Sequence, residues 1–311
     1  MRSVRVSLLA IGLLVVFVPV PLAQHFADWD EPVNLGPGVN SGFADQAPAV
    51  SKDGLSLYFQ SDRPEGGYGN TDLWVSQRNS DDEPWGAAVN LGDVVNSAAF
   101  ESRPTLSRDG HWLFFSSTRT GSFMPGLDLW ASYREHIHDD FAWETPVHLK
   151  DGVNAGESSE IEASYVENES GAPLLFFASN RPGGFGAFDI YVSELLSNGD
   201  WGPATWVPEL SSGQPDSSVS VRFDGREAFI VTGRAPLPAG FDLWVSTRAT
   251  TSDPWSAPVN LGPVVNSLVL DASAHISDDR QVLYFESVRA GGHGGNDIWM
   301  TTRTKGRPSG R

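Results

Sequence analysis

The chain has 311 residues, 40% of them hydrophobic, with 32 Gly, 21 Pro, no Cys and a formal net charge of −18. That charge argues against nucleic acid or an anionic membrane as a partner, since both require basic patches. The lack of Cys excludes disulfides and a lipidated cysteine, and the even composition from end to end points to one domain.

The first 23 residues read as an export signal. Arg2 and Arg5 precede an apolar run from Leu8 to Val20, and Ala23 offers a cleavage point. The run is shorter than the ~20 residues of a membrane span. The expected mature chain is therefore a soluble periplasmic or secreted monomer, with no membrane insertion after cleavage.

Beyond the signal one pattern recurs five times, at intervals of 53 to 61 residues between Asp72, Asp128, Asp189, Asp242 and Asp297. Each Asp is followed by Leu or Ile and then by Trp or Tyr. A further Trp stands 12 to 15 residues on, at Trp85, Trp143, Trp201 and Trp255. The fifth copy ends at Arg311 without one, and the missing piece lies at the front as Trp29 in DWDEPVNLG. Self-similarity at this period predicts a propeller or solenoid, and a last unit completed from the N-terminus predicts a closed ring.

In the first copy, Ala47 to Ser51 reads as a short strand ended by the turn Lys52-Asp53-Gly54. Leu55 to Gln60 is a second strand, residues 63–71 a Gly-rich loop, Leu73 to Ser76 a third strand and Trp85 to Leu91 a fourth. The predicted fold is all-β: a five-bladed β-propeller with four antiparallel strands per blade. Its blades cover residues 43–98, 99–155, 156–211, 212–266 and 267–304, the last completed by 29–42, and 305–311 form a disordered tail. Strand direction brings three polar positions of each blade to one face. These are the start of the inner strand (Asp45, Glu101, Glu160, Asp216, Asp271), the end of the second (Arg63, Arg119, Arg181, Arg234, Arg289) and the start of the third (Asp72, Asp128, Asp189, Asp242, Asp297).

The segments SKDGLSLYFQSDRPEGGYGNTDLWVSQR and SRDGHWLFFSSTRT resemble the WD40-like β-propeller repeat of the TolB type, over about residues 29–303. The resemblance implies an exported propeller that binds a glycan or a cell-envelope protein. The third copy departs from it with VENESG over 166–171 in place of the Asp-Gly turn, and the fourth with Thr232-Gly-Arg234.

An Arg and a third-strand Asp in every copy suggest a structural pair that fixes the loop between them. The five inner-strand carboxylates must be neutralised by those Arg residues, cap their own strands, or hold a cation. Oxygen ligands suit Ca²⁺, although no D-x-D-x-D-G loop is present and no cofactor is required. Loop-tip residues Tyr68, Phe123, Phe185 and His293 form an aromatic surface for sugar stacking, or packing between blades. Arg103, Glu162 and His275 break the symmetry of the inner strands, where other copies carry Ala47, Ser218 and Ser273 or small neighbours of these.

These features lead to an expected non-catalytic binding module, with its ligand at the channel mouth on the top face. Two alternatives stand beside it. One is a glycoside hydrolase, arabinanase-like or sialidase-like, with Glu160 or Glu162 as acid and Asp45 or Asp271 as base. The other is a structural platform in an envelope complex. His136 and His138 read as solvated loop residues rather than metal ligands.

Overall fold

A computed structural model describes residues 26–123, 126–167, 171–234 and 240–305, so the expected signal lies outside it. After a two-residue strand β1 (Val33–Asn34), the first blade contains β2 (Asp45–Val50), β3 (Ser56–Ser61), β4 (Asp72–Gln77) and β5 (Val89–Asn90). The second contains β6 (Glu101–Leu106), β7 (Trp112–Ser117), β8 (Asp128–Tyr133) and β9 (Val147–His148), and is followed by a single helical turn, α1 (Lys150–Val153). The third comprises β10 (Glu160–Val166), β11 (Leu174–Ser179), β12 (Asp189–Glu194) and β13 (Thr205–Trp206). The fourth comprises β14 (Asp216–Val221), β15 (Glu227–Thr232), β16 (Asp242–Thr247) and β17 (Val259–Asn260). The fifth has only β18 (Asp271–Ile276), β19 (Val282–Ser287) and β20 (Asp297–Thr302) of its own. Its outer edge is covered by β1, with Val33 opposite Met300 and Asn34 opposite Trp299. The chain is a five-bladed β-propeller whose ring is closed by its N-terminal strand.

The outer strands are shorter than expected, two residues in the first blade rather than the whole run from Trp85 to Leu91. The chain leaves the sheet because Asn90 turns its side chain to other work: its amide donates to Asp72 and its carbonyl oxygen accepts the Gly92 N–H.

Second strands such as SLYFQS are buried along both faces rather than alternately, because each blade is packed between two others. The core accordingly lies in the five seams. Each seam holds one repeated ring contact, between the aromatic residue of a second strand and the Trp of the next blade. The pairs are Tyr58–Trp143, Phe114–Trp201, Phe176–Trp255, Phe229–Trp29 and Tyr284–Trp85, all edge-to-face at 6.2 to 6.4 Å. The repeated Trp thus joins each blade to its predecessor.

One seam adds a buried polar staple. Asp140 of the second blade accepts hydrogen bonds from Ser56, Tyr58 and Gln77 of the first, and pairs with Arg134 at 2.7 Å. Burial alone would raise the Asp140 carboxyl, but the bonds from Ser56, Tyr58 and Arg134 outweigh it and hold it below its ordinary value. Asp140→Ala would leave a buried guanidinium and a phenol without their acceptor, a loss of about 3–5 kcal/mol. We expect the melting temperature to fall by about 10 °C, measured by calorimetry. A drop under 2 °C would show the staple to be dispensable.

Candidate active site

The inner-strand carboxylates do not face the channel. Asp45, Glu101, Glu160, Asp216 and Asp271 are all fully buried. Each pairs with the Arg of its own blade: Arg63–Asp45, and Arg119–Glu101, Arg181–Glu160, Arg234–Asp216 and Arg289–Asp271 at 3.1, 3.1, 3.2 and 2.6 Å. The serine or alanine that precedes each inner strand donates its backbone N–H to the same carboxylate, as Ser41 does to Asp45 and Ala155 to Glu160. The Arg side chain then reaches a backbone carbonyl, Val39 in the first blade, and lies over Phe59 and Trp74.

This corrects the expected pairing of each Arg with the third-strand Asp. The third-strand Asp is spent locally. Asp72 accepts the N–H groups of Tyr68 and Gly69 in the loop just before it, Asp128 that of Phe123 and a bond from His148, Asp189 that of Gly186, and Asp297 those of His293 and Gly294. Asp242 accepts from Asn260, as Asp72 does from Asn90 and Asp297 from Asn34. A carboxylate three to five residues from a loop amide reaches it without crossing the blade, which leaves the Arg to the inner strand. Among the described residues, no group of three or more metal-ligating side chains is assembled.

The loop-tip aromatics also stand apart from the channel. Tyr68, Phe185 and His293 are exposed. Phe123 meets His148 edge-on at 5.0 Å and Phe185 meets Trp206 at 4.4 Å, both on the outer strand of their own blade.

Chemistry collects instead at the third residue of the inner strands. There the ladder to the second strand is interrupted by a bulge in four blades, while in the fourth blade the shift falls one residue earlier, at Ser217, and Ser218 pairs with Val231. Ala47, Arg103, Glu162 and Ser273 adopt left-handed backbone conformations, with φ of 50°, 53°, 56° and 45°. Such conformations in non-glycine residues cost on the order of 1 kcal/mol or more and concentrate at functional sites. The bulge turns the side chain and N–H of this residue toward a neighbouring blade. The Ala47 N–H donates to Glu286 Oε2 at 2.9 Å, and the Arg103 N–H to Gln60 Oε1 at 2.9 Å.

Four side chains converge there. Arg103 Nη1 lies 3.5 Å from Glu162 Oε2 and 3.5 Å from the Ser217 carbonyl. The Ser273 hydroxyl donates to Glu162 Oε2 at 3.4 Å and also supports Glu286. Burial pushes the Glu286 carboxyl up to about 7, helped by the charge of Glu162 and opposed by Arg103, the Ala47 N–H and Ser273. Burial likewise raises Glu162, against Arg103, Ser218 and Ser273. Glu162 and Arg103 keep part of their side chains accessible, whereas Glu286 is buried. His275 lines the same void of about 20 Å³ beside Glu162, enough for a single water. Its burial depresses the imidazole to about 4, so it is neutral near pH 7.

The far end of the channel is bridged. Arg108 of the second blade pairs with Asp278 of the fifth at 2.9 Å and lies 4.0 Å over the Phe223 ring of the fourth.

The sequence singled out Arg103 and Glu162, and the structure brings them together. It missed Glu286. The signal was available in the second strands, where Glu286 aligns with Gln60, Ser116, Ala178 and Val231 as the one carboxylate.

A ring of five four-stranded blades around a polar channel defines the class: a five-bladed β-propeller with a carboxylate pair at its axis. No protein family and no curated protein sequence matches the chain. Solved structures do. An α-L-arabinofuranosidase from Lactobacillus brevis superposes with a TM-score of 0.59 at 13% identity, over 86% of this chain and 92% of that one. The catalytic domain of the Coprinopsis cinerea GH62 α-L-arabinofuranosidase gives 0.56 at 11%, over 89% and 97%. The GH43 endo-arabinanase from Bacillus licheniformis gives 0.55 at 16%, over 84% and 94%. At such identities the likeness establishes the fold. Their names, two α-L-arabinofuranosidases and an endo-arabinanase, correct the expectation of a non-catalytic module by favouring its hydrolase alternative.

Proposed function

We propose that the protein is a glycoside hydrolase whose reaction takes place at Glu162 and Glu286. The observation that carries this reading is the pair itself: Glu162, on strained backbone beside the Arg103 guanidinium and the Ser273 hydroxyl, and Glu286, buried across the seam and raised by burial and by the charge of Glu162. Two carboxyl groups with opposite protonation tasks are the minimum machinery for cleaving a glycosidic bond. Glu286, the more deeply buried, donates its proton to the leaving glycosidic oxygen. Glu162, held by Arg103, takes a proton from the attacking water. Pentose glycans built on arabinose or xylose are the proposed substrate class, supported by the names of the structural neighbours. Asp45, Asp271 and Glu160 take no part, because each is committed to its Arg. The same proposal includes export through residues 1–23, action as a monomer and a WD40-like repeat of the TolB type, supported by the recurring Ser-x-Asp-Gly turns.

The test is hydrolysis of fluorogenic aryl α-L-arabinofuranosides and β-D-xylosides between pH 4 and 9. Activity needs Glu162 ionised and Glu286 protonated. Burial raises both groups, so the two limbs of the profile belong to the coupled pair. The rate should rise as Glu162 loses its proton and fall above about pH 7 as Glu286 loses its own. No turnover of either substrate class, or of arabinan and xylan oligosaccharides, would sink the reading.

A further inference from the structure

The seam between the second and third blades differs from the other four. In those, an Arg at the end of the third strand lies flat over the repeated Trp: Arg78 over Trp85, Arg134 over Trp143, Arg248 over Trp255 and Arg303 over Trp29, at 4.4, 4.3, 4.2 and 4.5 Å. The Nε of each Arg donates to a carbonyl of the turn that joins the first two strands, Gly54, Gly110, Gly225 or Arg280. The third blade lacks that Arg. Leu195 occupies the Arg position, and the Asp-Gly turn is replaced by the longer VENESG. Trp201 is half-buried, as is Trp29 under its Arg, where Trp85, Trp143 and Trp255 are buried.

Two other positions of this seam have become aromatic. Trp112 begins β7 where the other second strands carry Ser56, Leu174, Glu227 and Val282, and Tyr165 sits on β10 where the other inner strands carry Val50, Leu106, Val221 and Ile276. Phe114 joins them, stacked on Tyr165 at 5.5 Å and edge-on to Trp201 at 6.3 Å. The result is a cavity of about 700 Å³ on the rim of the ring, walled by these rings and Leu195. Lys150, Asp151 and Asp200, all exposed, stand at its polar edge.

We propose that this cleft is a second, non-catalytic site that binds a neutral oligosaccharide. A sugar ring has an apolar C–H face and a periphery of hydroxyls. The aromatic wall suits the first, and carboxylates alternating with an ammonium suit the second. Two carboxylates beside one Lys disfavour an anionic ligand, and the charged edge disfavours a lipid. None of Arg103, Glu162, Ser273 or Glu286 lines the cleft, so the site is independent of the channel.

Leu195→Arg tests this directly, because it supplies the guanidinium that covers the Trp in the other four seams. The probes are arabinohexaose and xylohexaose, titrated calorimetrically into the full mature chain and into the chain carrying Glu286→Gln. One hexasaccharide should bind at this cleft with similar affinity in both proteins, over and above any binding or turnover in the channel. Leu195→Arg should weaken that binding at least tenfold, about 1.4 kcal/mol, while the melting temperature and the turnover of a small aryl glycoside stay unchanged. Trp112→Ala should weaken binding without filling the cleft, and serves if Leu195→Arg disturbs the fold. Binding with no turnover would retain this site while rejecting the channel reading. Absence of binding at millimolar hexasaccharide, or equal affinity in both folded variants, would overturn the proposal.

Discussion

Glu286→Gln is expected to abolish turnover and, at pH 8, to make the protein more stable. The first effect follows from the loss of the proton donor, worth about 10² to 10⁴ in rate. The second follows from linkage. The Glu286 carboxyl lies at about 7 in the folded chain against an ordinary 4.5. A group raised by folding contributes its full stability below the unfolded value and loses it as the pH rises through the folded one. Between about pH 4.5 and 7 the folded state therefore holds a proton that the unfolded state releases, and stability declines as the pH rises. At about 1.4 kcal/mol per pKa unit the accumulated cost is on the order of 3 kcal/mol by pH 8. Gln is nearly isosteric, keeps an acceptor for the Ala47 N–H and carries no charge to desolvate. The variant should melt about 5–10 °C above the parent at pH 8 and close to it at pH 4.5. A structural Glu286 predicts the opposite sign, a lower melting temperature at both values. Melting curves at the two pH values, with kcat/KM at pH 6, separate the cases.

A mature chain that begins at residue 41 is expected to lose the ring. It would lack β1 and its pairing to β20, and the Asn40 side chain that bonds both the N–H and the carbonyl of Ile298, at 2.8 and 2.9 Å. It would also lack Trp29, which meets Phe229 at 6.3 Å and carries Arg303 over its face. Equivalent Asn bonds recur at Asn96 with Leu73 and Asn266 with Leu243, so the fifth blade is assembled like the others, from two ends of the chain. Loss of several such contacts should lower the melting temperature by about 10 °C or more. It would also expose β20 as an open edge that pairs with other copies. Calorimetry with light scattering reads both effects. An unchanged melting temperature and a monodisperse monomer would show that the N-terminal strand is ornamental.

Much of the fold was legible because a propeller is written as a repeat. The intervals between Asp72 and Asp297 set the number of blades, and Trp29 standing in for a missing fifth Trp disclosed how the ring closes. The position of the carboxylates along each strand was legible too. Their partners were not, because a sequence orders residues along a strand but does not say which neighbour lies within 3 Å. Arg63 is nearer in sequence to Asp72 than to Asp45, yet it is bonded to Asp45. Loop amides and the Asn90 side chain take the oxygens of Asp72.

The candidate site divides in the same way. Arg103 and Glu162 stood out as departures from a repeating inner strand, which a single sequence displays. Glu286 did not stand out, since in VLYFES it occupies a second strand that reads as core. It becomes a channel group only through the bulge at Ala47, which aims a backbone N–H across a seam at its carboxylate. The repeat, its closure and its symmetry-breaking residues were determined by the sequence, because local pattern and period are properties of the chain itself. Which carboxylates are neutralised and which are left to titrate was decided only by the tertiary structure. Desolvation and charge pairing depend on distances between blades that no interval along the chain encodes.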